Sequence, residues 1–221
     1  MGKLEEPPEP KRKAGRFSRR DVVVAGHVGD MATARSAKSH ADPATRASAY
    51  GALARMGALD NEDLTGALSD PSPKVRMRAI TLAVGHPEAV GHEAVGHEAP
   101  FTALLDDSCD EVVEVAAWAC GEQEATAPST VTRLGELATG HPNPLVREAA
   151  VAALGAVGDP DGLDAILAAT TDRAAVRRRA ILALAPFDGP EVESALRRAA
   201  KDRDRQTRDA AEMLIQAEFT P

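Results

Sequence analysis

The chain has 221 residues, 27% of them charged, a formal net charge of −8 and only 3% aromatic residues. So few aromatics exclude a large globular core built on Phe, Tyr and Trp, and no apolar run approaches the roughly 20 residues a membrane-spanning helix needs. Abundant Ala and Leu point instead to helices packed closely in layers, where small side chains let backbones approach at little entropic cost.

Residues 1–17 combine Pro7, Pro8 and Pro10 with the basic run Lys11, Arg12, Lys13 and Arg16. Proline and charge without apolar periodicity predict a flexible N-terminal arm, and the charged, proline-rich start does not read as a signal peptide. A degenerate first helix pair follows. Asp21 is placed to cap a helix through Val22, Val23 and Val24, Gly29-Asp30 breaks it, and a second helix runs from Met31 to Lys38.

From there one phrase recurs six times: an arginine slot, then an alanine three residues later. The slot holds Arg46, Arg76, Val113, Arg147, Arg177 and Arg208; the alanines are Ala49, Ala79, Ala116, Ala150, Ala180 and Ala211. Adjacent slots lie 30, 37, 34, 30 and 31 residues apart. A period of about 30 residues marks stacked supersecondary units, none able to bury its apolar face alone. The fourth copy shows the internal plan. Pro142 and Pro144 sit where a helix begins, Val146, Ala150 and Leu154 form one apolar stripe, Gly155 and Gly158 close the helix, and Asp159-Pro160 opens the next. Counted this way, the chain should hold about a dozen short helices and no sheet. Cys120 falls in a slot that holds Leu53, Leu154 and Leu184 elsewhere, and so reads as a buried small hydrophobe. With Cys109 the only other cysteine, a reducing cytoplasm is the expected home.

The second copy is long because residues 85–100 repeat a five-residue unit, Glu-Ala-Val-Gly-His, twice and begin it a third time. This reads as a duplication lodged in a loop, where added length costs little closure entropy. Residues 18–217 are thus expected to form the repeat region, and 218–221 a tail.

The phrase Asp-Pro-x-Pro-x-Val-Arg-x-x-Ala-x-x-Ala-Leu resembles HEAT repeats, in particular the short Ala-rich kind first noted in phycobilisome lyases. Residues 69–83, 141–155 and 171–185 are good copies, and the likeness covers about residues 30–216. The resemblance implies an all-α, right-handed superhelical solenoid of about six helix pairs. It also implies a structural ladder of turn aspartates and helix arginines joining successive repeats. Carried over by position, the ladder residues are Arg46, Asp70, Arg76, Arg147, Arg177, Asp202 and Arg208. Asp70/Arg76 and Asp202/Arg208 are the full pairs, Asp172 is a near substitute beside Arg177, and Val113 leaves a gap.

Helix geometry picks a candidate surface. If positions −1, +3 and +7 from the slot face the core, 100° per residue turns +1 and +5 away from it. These positions hold Ala47 and Gly51, Met77 and Thr81, Glu114 and Trp118, Glu148 and Ala152, Arg178 and Leu182, Asp209 and Met213. In HEAT-like solenoids the arginine-bearing helices line the concave face, so Met77, Glu114, Trp118, Glu148, Arg178 and Leu182 are the expected partner-binding residues. Trp118 could instead pack into the seam between repeats.

Charge is uneven: residues 1–20 carry net +4, 21–170 net −13 and 171–210 net +3. A basic arm and the C-terminal arginines could meet nucleic acid, but the acidic middle would repel phosphate and aromatics for base stacking are scarce. The pairs His92-Glu93 and His97-Glu98 are similar to the iron-binding His-Glu pairs of deoxyhypusine hydroxylases. Here both lie in one tandem duplication, and His92 and His97 are five apart rather than four, so a duplicated loop explains them better. No cysteine or histidine cluster marks a chromophore groove, and no nucleophile stands beside a base. The expectation is a cytoplasmic, monomeric, non-catalytic scaffold, without cofactor or metal, whose partner is another protein. HEAT-like enzymes of the lyase or DNA-repair type and nucleic-acid-associated factors are the alternatives.

Overall fold

A computed structural model describes residues 17–90 and 100–217. The N-terminal arm through residue 16, residues 91–99 with His92, Glu93, His97 and Glu98, and the tail 218–221 lie outside the described residues. The fold is all-helical. In chain order the helices are α1 (Arg19–Val28), α2 (Met31–Ala37), α3 (Pro43–Arg55), α4 (Asn61–Leu68), α5 (Pro73–Gly85), α6 (Pro87–Val90) and α7 (Asp110–Gly121). They continue with α8 (Pro128–Gly140), α9 (Pro144–Val157), α10 (Leu163–Ala169), α11 (Ala174–Ala183), α12 (Pro190–Ala199) and α13 (Arg205–Ala217). Short 3-10 turns cover Thr102–Asp106 and Pro160–Gly162, and there is no strand among the described residues. The chain divides into two compact units, Met1–Ala58 and Leu59–Pro221, with the boundary inside a sequence repeat, between α3 and α4.

In the first unit α1 and α2 both pack on α3. The first helix starts earlier than Asp21 suggests. Ser18 is its N-cap, and Asp21 is the reciprocal member of a capping box, accepting from the Ser18 backbone N–H at 2.8 Å. Gly29 then ends α1 in the left-handed region at φ +79°, and Asp30 caps α2 by accepting from the Thr33 N–H. A Cβ on Gly26 would lie 2.8 Å from the Ala52 Cα, so only glycine lets α1 and α3 come this close. Ala47 and Gly51, expected on an open surface, are buried.

In the second unit α5, α7, α9, α11 and α13 pack each on the next, forming one layer; α4, α6, α8, α10 and α12 form the other. Proline opens α5, α8, α9 and α12, where its missing N–H costs nothing and its fixed φ suits the helix. At the −1 and +3 positions the slot arithmetic holds. All six repeated alanines are fully buried, as are Val75, Val112, Val146, Val176 and Thr207 at the −1 position. An alanine is required there because a longer side chain would prise adjacent helices apart in an interior already at close packing. Cys120 is buried as its slot implies, and burial pushes its thiol up to about 12 despite a hydrogen bond with Thr102.

Two local expectations are revised. Gly155 does not close α9; it lies inside the helix, where an added Cβ would come within 2.6 Å of the Ala183 Cα. Gly121 in α7 meets Ala153 of α9 in the same way, at 3.1 Å. These glycines sit at the helix–helix contact, and Gly158, at φ +67°, is the true C-cap of α9. The duplicated segment is not loop from its first residue either: Pro87–Val90 form α6, with Ala89 buried. The second layer of this repeat is therefore α6 and the turn Thr102–Asp106, which Phe101 and Leu105 anchor in the core.

Candidate protein-binding surface

The arginine slots set the frame on which the surface rests. Arg76 donates from Nε and Nη2 to the two carboxylate oxygens of Asp107, 31 residues on, both at 2.7 Å. Arg147 grips Asp172, 25 residues on, at 2.6 and 2.9 Å. Arg177 donates from Nη2 to Asp202 at 2.9 Å, while its Nε lies 2.8 Å from the second oxygen without hydrogen-bond alignment. Each guanidinium also donates from Nη1 to a carbonyl of its own turn: Asp70 for Arg76, His141 for Arg147 and Asp172 for Arg177. Arg46 and Arg208 reach the carbonyls of His40 and Asp202 alike.

The ladder is thus built from one repeat to the next. Asp70/Arg76 and Asp202/Arg208 are not carboxylate pairs within a repeat; in both, the arginine takes the aspartate's main-chain oxygen. Asp202 gives its carboxylate to the preceding Arg177, and Asp172 gives its own to Arg147. Bidentate, charge-assisted bonds of this kind fix both distance and angle between units. For Asp172 and Asp202 the arginine is the main reason the carboxyl sits below its ordinary range. For Asp107 burial pushes upward, and Arg76 together with the Cys109 N–H outweighs it.

Val113 removes the arginine from α7, and a different contact fills the gap. Asn143, the N-cap of α9, donates from Nδ2 to Asp110 at 2.8 Å, and His141 Nε2 lies 3.8 Å from the same carboxylate. Donor and acceptor have exchanged repeats. The only hint in the sequence is an acidic residue three positions before the broken slot.

The other edge of this layer carries the candidate site. Trp118 is 42% exposed, so it does not lie in the seam, and Met213 is 55% exposed. Met77, Glu114, Glu148, Arg178 and Leu182 are half-buried. Glu114 and Trp118 are one turn apart on α7, and Glu148 on α9 is near enough to act on Glu114. Burial is the first reason the Glu114 carboxyl is raised above its ordinary range, followed by the charges of Glu111, Asp110 and Glu148. Glu148 has a partner in Arg179 at 3.6 Å, partly exposed and so worth little. No group of three or more metal-binding side chains occurs among the described residues.

Residues 98–185, which hold α7, α9 and α11 with the slots Val113, Arg147 and Arg177, match the family model of HEAT repeats. These residues are similar to HEAT repeats. Solved structures extend the likeness along the chain. A designed armadillo repeat protein is 17% identical, over 90% of this chain and 99% of its own, with a TM-score of 0.56. The crystal structure of an engineered protein gives 18% identity over 85% and 95%, with a TM-score of 0.59. A designed armadillo repeat protein in complex with the peptide (KR)4 gives 16% over 91% and 99%, with a TM-score of 0.55. At such identities the likeness is one of fold. No curated protein matches the sequence. No helix among the described residues is long and apolar enough to cross a membrane.

Proposed function

We propose that this chain is a non-catalytic scaffold that binds another protein along the exposed edge of α5, α7, α9 and α11. The observation that carries the reading is Trp118: a large apolar side chain, two-fifths exposed, on the same helix edge as the half-buried Met77, Glu114, Glu148, Arg178 and Leu182 of the neighbouring repeats. Exposed aromatics ringed by half-buried neighbours are where interfaces concentrate their binding energy. The repeated frame supplies rigidity, so little order has to be gained on binding. A designed armadillo repeat protein of similar fold was solved with a peptide, which agrees with a binding role for such layers. The two thiols, both free, suit a reducing compartment such as the cytoplasm, with the chain acting as a monomer.

The test is capture of the native partner by the full chain and by Trp118→Ala with Glu148→Lys. The variant is expected to lose the partner while circular dichroism and the melting transition stay as in the parent. Unchanged capture refutes the assignment of the surface.

A further inference from the structure

The first and the last helix of the repeat frame are finished in opposite ways. Gly26 of α1 meets Ala52 of α3 as Gly121 meets Ala153 and Gly155 meets Ala183, so α1 keeps the register of the later repeats with Ser18 in the slot. Counted from the slot, +6 is the position on which a preceding helix lies. It holds Ala52, Leu82, Ala119, Ala153 and Ala183, all buried, but in α1 it holds Val24, 48% exposed. The +4 position, one turn before the contact glycine, faces the following helix. It is buried as Tyr50, Ile80, Ala117, Val151 and Ile181. In α13 it is Glu212, with Gln216 one turn on, and both are exposed. The terminal unit of a repeat protein needs a polar outer face to stay soluble; α13 has one and α1 does not.

What α1 presents instead is apolar. Val23, Val24 and Val28 lie at helical spacing, Met31 continues the stripe at the start of α2, and the four are 38% to 71% exposed. Seven large apolar side chains are exposed among the described residues, and four of them are these, so the patch is a concentration and not a scatter. Its rim is basic. Arg20, one turn before Val24, is exposed and makes no hydrogen bond or ion pair among the described residues. Residues 17–38 carry Arg19, Arg20, Arg35 and Lys38 against Asp21 and Asp30, and both aspartates are engaged as caps, with Ser18 and with Thr33.

The sequence of residues 1–16 is ill suited to cover this face, with Pro7, Pro8 and Pro10 and only Met1 and Leu4 as large apolar side chains. A second copy fits no better. Antiparallel pairing of α1 about Val24 would set Arg20 of each copy beside Val28 of the other, where no unengaged carboxylate meets the arginine. We propose that the exposed face of α1 and the start of α2 docks an amphipathic helix of another protein. Its leucine or methionine stripe covers Val24, Val28 and Met31, and a flanking glutamate or aspartate pairs with Arg20. None of the residues around Trp118 takes part, so this site stands or falls independently of the scaffold reading.

The probe is a fluorescein-labelled peptide of about 16 residues, long enough to hold a helix in water, with a leucine stripe flanked by glutamates. Its control carries the same stripe flanked by lysines. Anisotropy on titration with the full chain should show saturable binding of the first and about tenfold weaker binding of the second. Val24→Ser with Val28→Ser should weaken the glutamate peptide about tenfold and leave circular dichroism unchanged, since both side chains are exposed. Arg20→Glu should reverse the preference between the peptides, and Trp118→Ala should change neither. Equal binding of both peptides by the parent, binding of neither, retention by the valine variant, or as large a loss from Trp118→Ala overturns the proposal. Sedimentation velocity decides against self-pairing: a monomer is expected, and a dimer that Val24→Ser/Val28→Ser dissociates would replace the helix partner by a second copy.

Discussion

The helices α5, α7, α9, α11 and α13 have two edges that follow opposite rules. Along one edge the same side chain returns in every repeat and is fully buried: Ala79, Ala116, Ala150, Ala180 and Ala211. Along the other only Glu114 and Glu148 repeat in register, and Met77, Glu114, Trp118, Arg178 and Met213 reach solvent to different degrees. Uniformity on the first edge is imposed by packing, since every repeat must offer its neighbour the same separation. The second edge has no such neighbour, so packing leaves its residues free to vary.

The contrast is sharpest in the cost of substitution. Replacing Arg76 by Met should be the most damaging change, about 3 kcal/mol by urea unfolding, because Asp107, only 6% exposed at its side chain, would keep a buried charge without its partner. Arg178→Met, on the opposite edge, should stay within about 0.5 kcal/mol. Next comes Gly155→Val, about 2 kcal/mol, since the new Cβ would meet the Ala183 backbone at 2.6 Å. Gly135→Ala in α8 should go the other way and stabilise by up to about 1 kcal/mol, because Ala165 stands at an ordinary 3.6 Å and alanine is the better helix former.

Acid should expose the ladder more gently. Asp107, Asp172 and Asp202 have carboxyls held below their ordinary range in the folded state. Their contribution is therefore complete above an unfolded carboxyl value of about 4 and is lost as pH falls through the lower folded values. Urea midpoints should drop below about pH 4, and the triple Asp→Asn variant should be less stable at neutral pH and show a shallower drop. Smallest of all on stability should be Trp118→Ala, within about 0.5 kcal/mol, although this one change is expected to abolish partner capture.

The sequence makes some of this legible and hides the rest for physical reasons. The buried alanines and the all-helical fold follow from a period in the chain, because burial at fixed spacing repeats with it. The arginine partners do not, because a guanidinium on one repeat reaches the carboxylate of the next, 25 or 31 residues on, and spacing within a copy cannot show that. The Asp110–Asn143 contact breaks the pattern and carries no periodic signal at all. Gly155 is ambiguous in the sequence for a related reason: glycine ends helices and also marks close helix contacts, and only the position of Ala183 decides between them. The exposed edge was readable as an angle from the slot in the second unit, but not in α3, where Ala47 and Gly51 are buried.

The most direct measurement is site-specific photo-crosslinking in the native cell, with a photoreactive phenylalanine derivative at position 118 and, separately, at exposed Thr132 on α8. The account predicts a discrete protein adduct from position 118 and none of that identity from position 132. The same adduct from both positions, or an adduct from position 132 alone, would contradict it.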